Sequence, residues 1–144
     1  MSTNNPYAAP KTTLEIETHD DAPPLWNPDV AGLWSLLFTP VFGSILVLKN
    51  WQAIGELEQI RAAKIWLAIS ILTYLVTLFF RPLGFIYIVV WYIGSQKKQT
   101  EYVKKRWEKS YPKKGWVVPI LLGITSILVI AFILVLIEKL LFKP

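Results

Sequence analysis

Cysteine is absent from the 144 residues. That excludes disulfides, thiolate catalysis, Cys-ligated zinc, iron–sulfur clusters and a lipoprotein-type anchor, and it says nothing about compartment. Histidine occurs once, as His19, and a lone histidine makes neither a metal site nor a catalytic pair. No P-loop, GxGxxG or HExxH motif is present. Charge is scarce as well: 17% of residues are charged, against about 25% in soluble domains.

The scarcity is uneven. Residues 30–48, 65–80, 82–96 and 115–137 carry no charge at all. A soluble core of this size spreads its apolar residues in stripes, whereas uncharged blocks make helices that are apolar on every side and suit lipid. The four blocks are therefore read as membrane spans. With no Asp or Glu inside them, they offer neither an intramembrane acid for ion-coupled transport nor a paired-aspartate protease site. The sequence is read as non-enzymatic, with no cofactor and no metal.

Residues 1–26 read as a disordered, acidic, Pro-rich tail and 27–144 as the membrane domain. The first 25 residues lack a basic start followed by an apolar run, so no cleavable signal peptide is expected and a later span acts as the insertion signal.

The first span opens with a helix-start signal, Asn27 as N-cap, Pro28 at the first helical position and Asp29 at the positive end of the dipole. Its 19 uncharged residues reach about 28 Å, close to the ~30 Å hydrocarbon core. Pro40 is expected to kink it. Ala31, Ser35, Thr39 and Gly43 recur every fourth position and form a stripe where another helix could approach closely.

The second and third spans are short, and Arg81-Pro82 lies between them. One continuous helix would bury Arg81 at the bilayer centre, at a cost of at least ~2.5 kcal/mol. A hairpin turning at Arg81-Pro82 avoids this. Arg81 is then either an interfacial turn residue or a contact for an anion or lipid phosphate.

Residues 97–114 hold eight Lys or Arg against Glu101 and Glu108. Val103, Trp107 and Tyr111 recur every four residues, and a basic helix with such a stripe is expected to lie on an anionic leaflet. Lys97, Lys98, Lys104, Lys105, Arg106 and Trp107 are candidate contacts for an anion or lipid headgroup. The patch either recruits anionic lipid or an acidic partner, or serves only to set the topology, which would leave the stripe unexplained. The basic residues flank apolar spans, so lipid rather than nucleic acid is the expected partner. Trp34, Trp51, Trp66, Trp91 and Trp116 fall near proposed span ends, as an interfacial aromatic belt would.

The positive-inside rule places 97–114 in the cytoplasm. A four-span threading then puts both termini outside. The alternative, in which 82–96 does not cross, puts the N-terminus inside.

Several stretches are familiar together: NPYAAP near the start, WNPDVAGLWSLLFTPVFGS, KNWQAIGE and YPKKGW. In these the chain resembles a group of small, mostly uncharacterised bacterial inner-membrane proteins. The resemblance implies bacterial origin and inner-membrane location, and brings no activity or site residues. The expectation is thus an all-α, four-span integral membrane bundle, in which homo-oligomerisation or a membrane-protein partner is plausible. Its expected role is that of an accessory, scaffold or protective interaction protein; the alternative is a small oligomeric channel or transporter.

Overall fold

The computed structural model describes residues 22–141, and over this range the chain is all-α. Residues 1–21, with His19 and the carboxylates expected in a disordered tail, lie outside the described residues, as do 142–144. The helices are α1 (Pro28–Leu37), α2 (Pro40–Ile54), α3 (Leu57–Thr77), α4 (Pro82–Trp91), α5 (Lys97–Trp107) and α6 (Val117–Leu141), with a π-helical turn, Tyr92–Gln96, joining α4 to α5.

The expected single kinked helix over 30–48 does not form. Asn27 does cap α1, its side chain accepting from the Asp29 N–H. The helix stops at Leu37, however, and Thr39 caps a new one, its hydroxyl accepting from the Phe42 N–H at 3.3 Å with Pro40 in the first turn. Between them the chain reverses. Ser35 lies against Gly43, and further back Trp26 hydrogen-bonds to Asn50, so α1 and α2 run antiparallel. The physical reason is that a capping Thr followed by Pro specifies a helix start, and a start after an unfinished helix permits reversal rather than a bend.

Gly55 makes the next corner. Its φ of +88° is left-handed and its N–H caps the Trp51 carbonyl, a conformation glycine adopts without a Cβ penalty. Beyond it α3 returns along α2, with Ser44 bonded to Ser70. Residues 78–81 turn the chain again. Ser70 meets Tyr87, and Trp66 lies against Gly94, so α3 and α4 form an antiparallel hairpin with Arg81 at its tip. The third segment does not end near 96, where the uncharged run stops. Helical structure runs unbroken from Pro82 to Trp107, 26 residues or about 39 Å.

These reversals gather residues 22–26, 49–60, 96–116 and the start of α6 at one end of the molecule, called here the near end. The α3–α4 turn and the end of α6 lie at the other. Residues 22–26 are packed rather than trailing: Leu25 is fully buried, its N–H donates to the Pro112 carbonyl and its carbonyl accepts from Lys114. The tail boundary expected at 26 therefore falls inside the folded part.

Two helices, Leu57–Thr77 and Val117–Leu140, are long and apolar enough to cross a membrane. Neither is a buried core helix of this chain, because only 11% and 6% of their apolar windows are buried. The core instead joins α2, α3 and α4 through Val47, Trp51, Ala63, Tyr87 and Trp91. Trp51 and Trp91 are 3% and 1% exposed, so these two are core residues and not part of an interfacial belt.

Candidate functional site

The near end is held by carboxamides. Asn50, fully buried, accepts from the Trp26 N–H at 3.0 Å and donates to the Trp26 carbonyl at 2.8 Å and to Gln99 Oε1 at 3.1 Å. Gln99, also fully buried, donates to the Val47 carbonyl at 2.9 Å. Gln96 donates to the Pro28 carbonyl. Both glutamines face inward because the π-helical turn adds a residue to the α4–α5 helix and rotates the positions beyond it. Gln96 Oε1 is buried without a hydrogen-bond partner, but the paired amides of Asn50 and Gln99 fix one arrangement of the helices, because a slip strands the groups they satisfy. The α1–α2 hairpin is thereby clasped to the long helix.

Deeper, Ser70 forms a second polar node. It sits 2.8 Å from the hydroxyls of both Ser44 and Tyr87, and 2.8 Å from the Trp66 carbonyl to which it donates. Three helices thus meet on one hydroxyl.

At the surface of the near end, Tyr102 donates to Glu56 at 2.6 Å and accepts from Arg106 at 2.7 Å. Burial, followed by the hydrogen bond to Glu56, raises the Tyr102 phenol above its ordinary pKa; burial and the charge of Asp29 raise Tyr111. A raised tyrosine pKa means that the folded state favours the neutral phenol. Its stabilisation is complete below the ordinary value of about 10 and is lost as pH rises through the higher folded values. The unfolding midpoint in denaturant should therefore fall above about pH 10, and Tyr102→Phe with Tyr111→Phe should flatten that fall. A profile identical in the double variant would contradict this.

The expected stripe residues come out unequally. Ala31, Ser35 and Gly43 lie in the packed interior, but they join the two arms of one hairpin rather than two spans. Thr39 serves as the α2 cap. Of the expected headgroup contacts, Arg81, Lys97, Lys98, Lys104, Lys105 and Arg106 are exposed. Lys104 pairs with Asp29 at 3.2 Å, Lys97 with Glu101 at 3.7 Å and Arg106 with Glu56 at 3.7 Å. Arg81 stands at the opposite end from the rest, so the structure does not bring it together with them. Trp107 is not a headgroup contact. It and Val103 are buried against Leu25, with Ala53, Ile54 and Tyr111 around them. The aromatic stripe is covered by the chain's own N-terminal segment and does not face a leaflet.

Sequence reasoning missed the clasp (Asn50, Gln96, Gln99) and a cleft of about 880 Å³ between α2, α3 and α6. Thr39, Phe42 and Ile45 form one wall, Leu122, Ile127 and Leu134 another. α6 comes close to the hairpin where Phe38 meets Gly123, whose added Cβ would lie 3.0 Å from the Phe38 ring. Trp26 and Lys49 line the near end of the cleft. Trp26 donates to the Gly115 carbonyl at 3.0 Å, and Lys114 sits 4.4 Å from its ring centroid.

Among the described residues no group of three or more His, Cys, Asp or Glu is placed to hold a metal ion. Comparison with protein-family models, curated proteins and solved structures finds no match.

Proposed function

We propose that this chain is a multi-pass protein of the bacterial inner membrane that works by binding, as an accessory, scaffold or protective partner of another membrane component, and not by catalysis. The observation that carries the reading is α6. It is a 25-residue apolar helix that touches its own bundle sparingly and leaves Leu121, Leu128 and Phe132 58–64% exposed on its outer side. Apolar surface on this scale belongs against lipid or another protein. The resemblance in NPYAAP and WNPDVAGLWSLLFTPVFGS favours the bacterial inner membrane.

In the proposed threading the α1–α2 hairpin enters the bilayer and returns to the same side, and α3, α4 and α6 cross. Irregular backbone at its tip is tolerable in lipid where protein covers it. The near end then holds Lys49, Arg61, Lys64, Lys97, Lys98, Lys104, Lys105, Arg106, Lys109, Lys113 and Lys114, and the far end Arg81 and Lys139. Eleven against two among the described residues is a strong positive-inside bias, so the near end is cytoplasmic. This replaces the four-span threading with both termini outside.

The chain lacks cysteine, so each introduced thiol is a unique reporter. Pro24→Cys, Gln52→Cys and Glu108→Cys should resist a membrane-impermeant maleimide added outside intact cells, and Arg81→Cys should react. Labelling of Pro24→Cys from outside would reverse the threading.

The functional reading is tested by extracting the full chain from its native membrane in mild detergent and determining its mass. A stoichiometric companion, lost when Leu121, Leu128 and Phe132 become alanine, is the expected result. A lone monomer sinks the reading.

A pore is favoured by one observation, the line of buried hydroxyls from Ser35 through Ser44 and Ser70 to Tyr87 beside a hairpin of the kind that lines channels. Ser44 and Tyr87 each bond to Ser70 at 2.8 Å and Ser35 to the Ala31 carbonyl, which closes a path. Ion flux into liposomes carrying the chain should equal that of empty vesicles.

A further inference from the structure

We infer that the cleft between α2, α3 and α6 seats an anionic diacyl phospholipid, with its phosphate at Lys49 and Lys114. The inference rests on the membrane reading above and names one occupant for it.

The volume of about 880 Å³ falls in the ~300–1,000 Å³ range of ligand sites. The walls are apolar and run along α6 from Val118 to Leu134, about 24 Å at 1.5 Å per residue. That is a path for acyl chains lying along a helix. A second helix, about 10 Å across, does not fit, because Phe38 bridges the gap to Gly123. A flexible chain can pass around that bridge.

The near mouth supplies the complementary charge. Lys49 lines it, and Lys114 stands over Trp26, which lines it too. Neither lysine pairs with a carboxylate among the described residues. Trp26 gives the amphipathic ring suited to the headgroup boundary. Two ammonium groups beside a tryptophan at one end of an otherwise apolar cleft match a lipid phosphate above its tails.

The test uses the full chain in vesicles of equimolar phosphatidylcholine and phosphatidylglycerol, with a photoreactive side chain at Ile127, which lines the cleft, or at Phe132, which faces away on the same helix. Adducts are read by mass. Each lysine near an anionic surface contributes about fivefold, so phosphatidylglycerol adducts at Ile127 should exceed phosphatidylcholine adducts by at least about fivefold. At Phe132 the two should be equal. Lys49→Gln with Lys114→Gln should bring Ile127 to equality. Equal adducts at Ile127 in the unaltered chain, enrichment that survives the double substitution, or capture of a second protein chain there would each overturn the lipid seat. A lack of lipid adducts at both Ile127 and Phe132 would sink the membrane reading itself, so the two failures are distinguishable.

Discussion

Asn50→Ala should destabilise the protein by about 3 kcal/mol. The alanine leaves the Trp26 N–H, the Trp26 carbonyl and Gln99 Oε1 without the partner they have at 2.8–3.1 Å, in a place where Asn50 itself is fully buried. An unmet buried polar group costs roughly 1–3 kcal/mol, and three groups sharing one partner do not add in full. Asn50→Leu keeps the volume and should fare no better, because the stranded groups are the same. The measurement is denaturant unfolding of the full chain in detergent, followed by tryptophan fluorescence. Tyr87→Phe is the comparison. It removes one hydroxyl from the Ser44–Ser70–Tyr87 node, where a hydrogen bond between membrane helices is worth only about 0.6 kcal/mol on average. If Asn50→Ala costs no more than Tyr87→Phe, the carboxamides do not clasp the hairpin.

The clasp also explains why the first apolar stretch cannot be placed from its own residues. Asn27-Pro28 and Thr39-Pro40 carry the same start signal. The first stands at the edge of an uncharged run and reads as a beginning; the second stands inside it and reads as a kink. Nothing local separates the two, because a 19-residue run also matches the thickness of a bilayer. What decides is the pairing of Trp26 with Asn50, 24 positions apart, a contact that exists only if the chain reverses. The Arg81-Pro82 turn is legible, since a guanidinium is costly at membrane depth and proline starts the next helix. α6 is legible almost to its ends, 115–137 expected against Val117–Leu141 found, because a helix apolar on all sides needs no partner to define it. The Val103–Trp107–Tyr111 stripe is visible as a face. Its partner is not, for lipid and a buried Leu25 satisfy the same apolar side chains equally. The inward turn of Gln96 and Gln99 depends on the π-helical residue, which has no sequence signal here.

Gly43→Val should be as damaging as the loss of Asn50, destabilising by about 3 kcal/mol, the upper end of the overpacking range. A Cβ at this position would lie 2.8 Å from Ser35 Cβ and 2.5 Å from Trp91 Cη2, and neither neighbour has room. Ser35 is 1% exposed and bonded to the Ala31 carbonyl at 2.7 Å; Trp91 is 1% exposed in the centre of the core. The two arms can separate only by pulling on the Trp26–Asn50 clasp, so the overlap is met by strain and not by relaxation. Gly43→Ala tests this with the smallest addition, and Ser35→Gly in the same chain removes one of the two obstacles. Denaturant unfolding of the two single variants and the double variant gives their coupling. The double variant should recover part of the loss from Gly43→Ala, with the Trp91 overlap accounting for the remainder. If the two changes simply add, positions 35 and 43 do not touch, and an antiparallel α1–α2 hairpin gives way to one straight helix in which they stand eight residues apart.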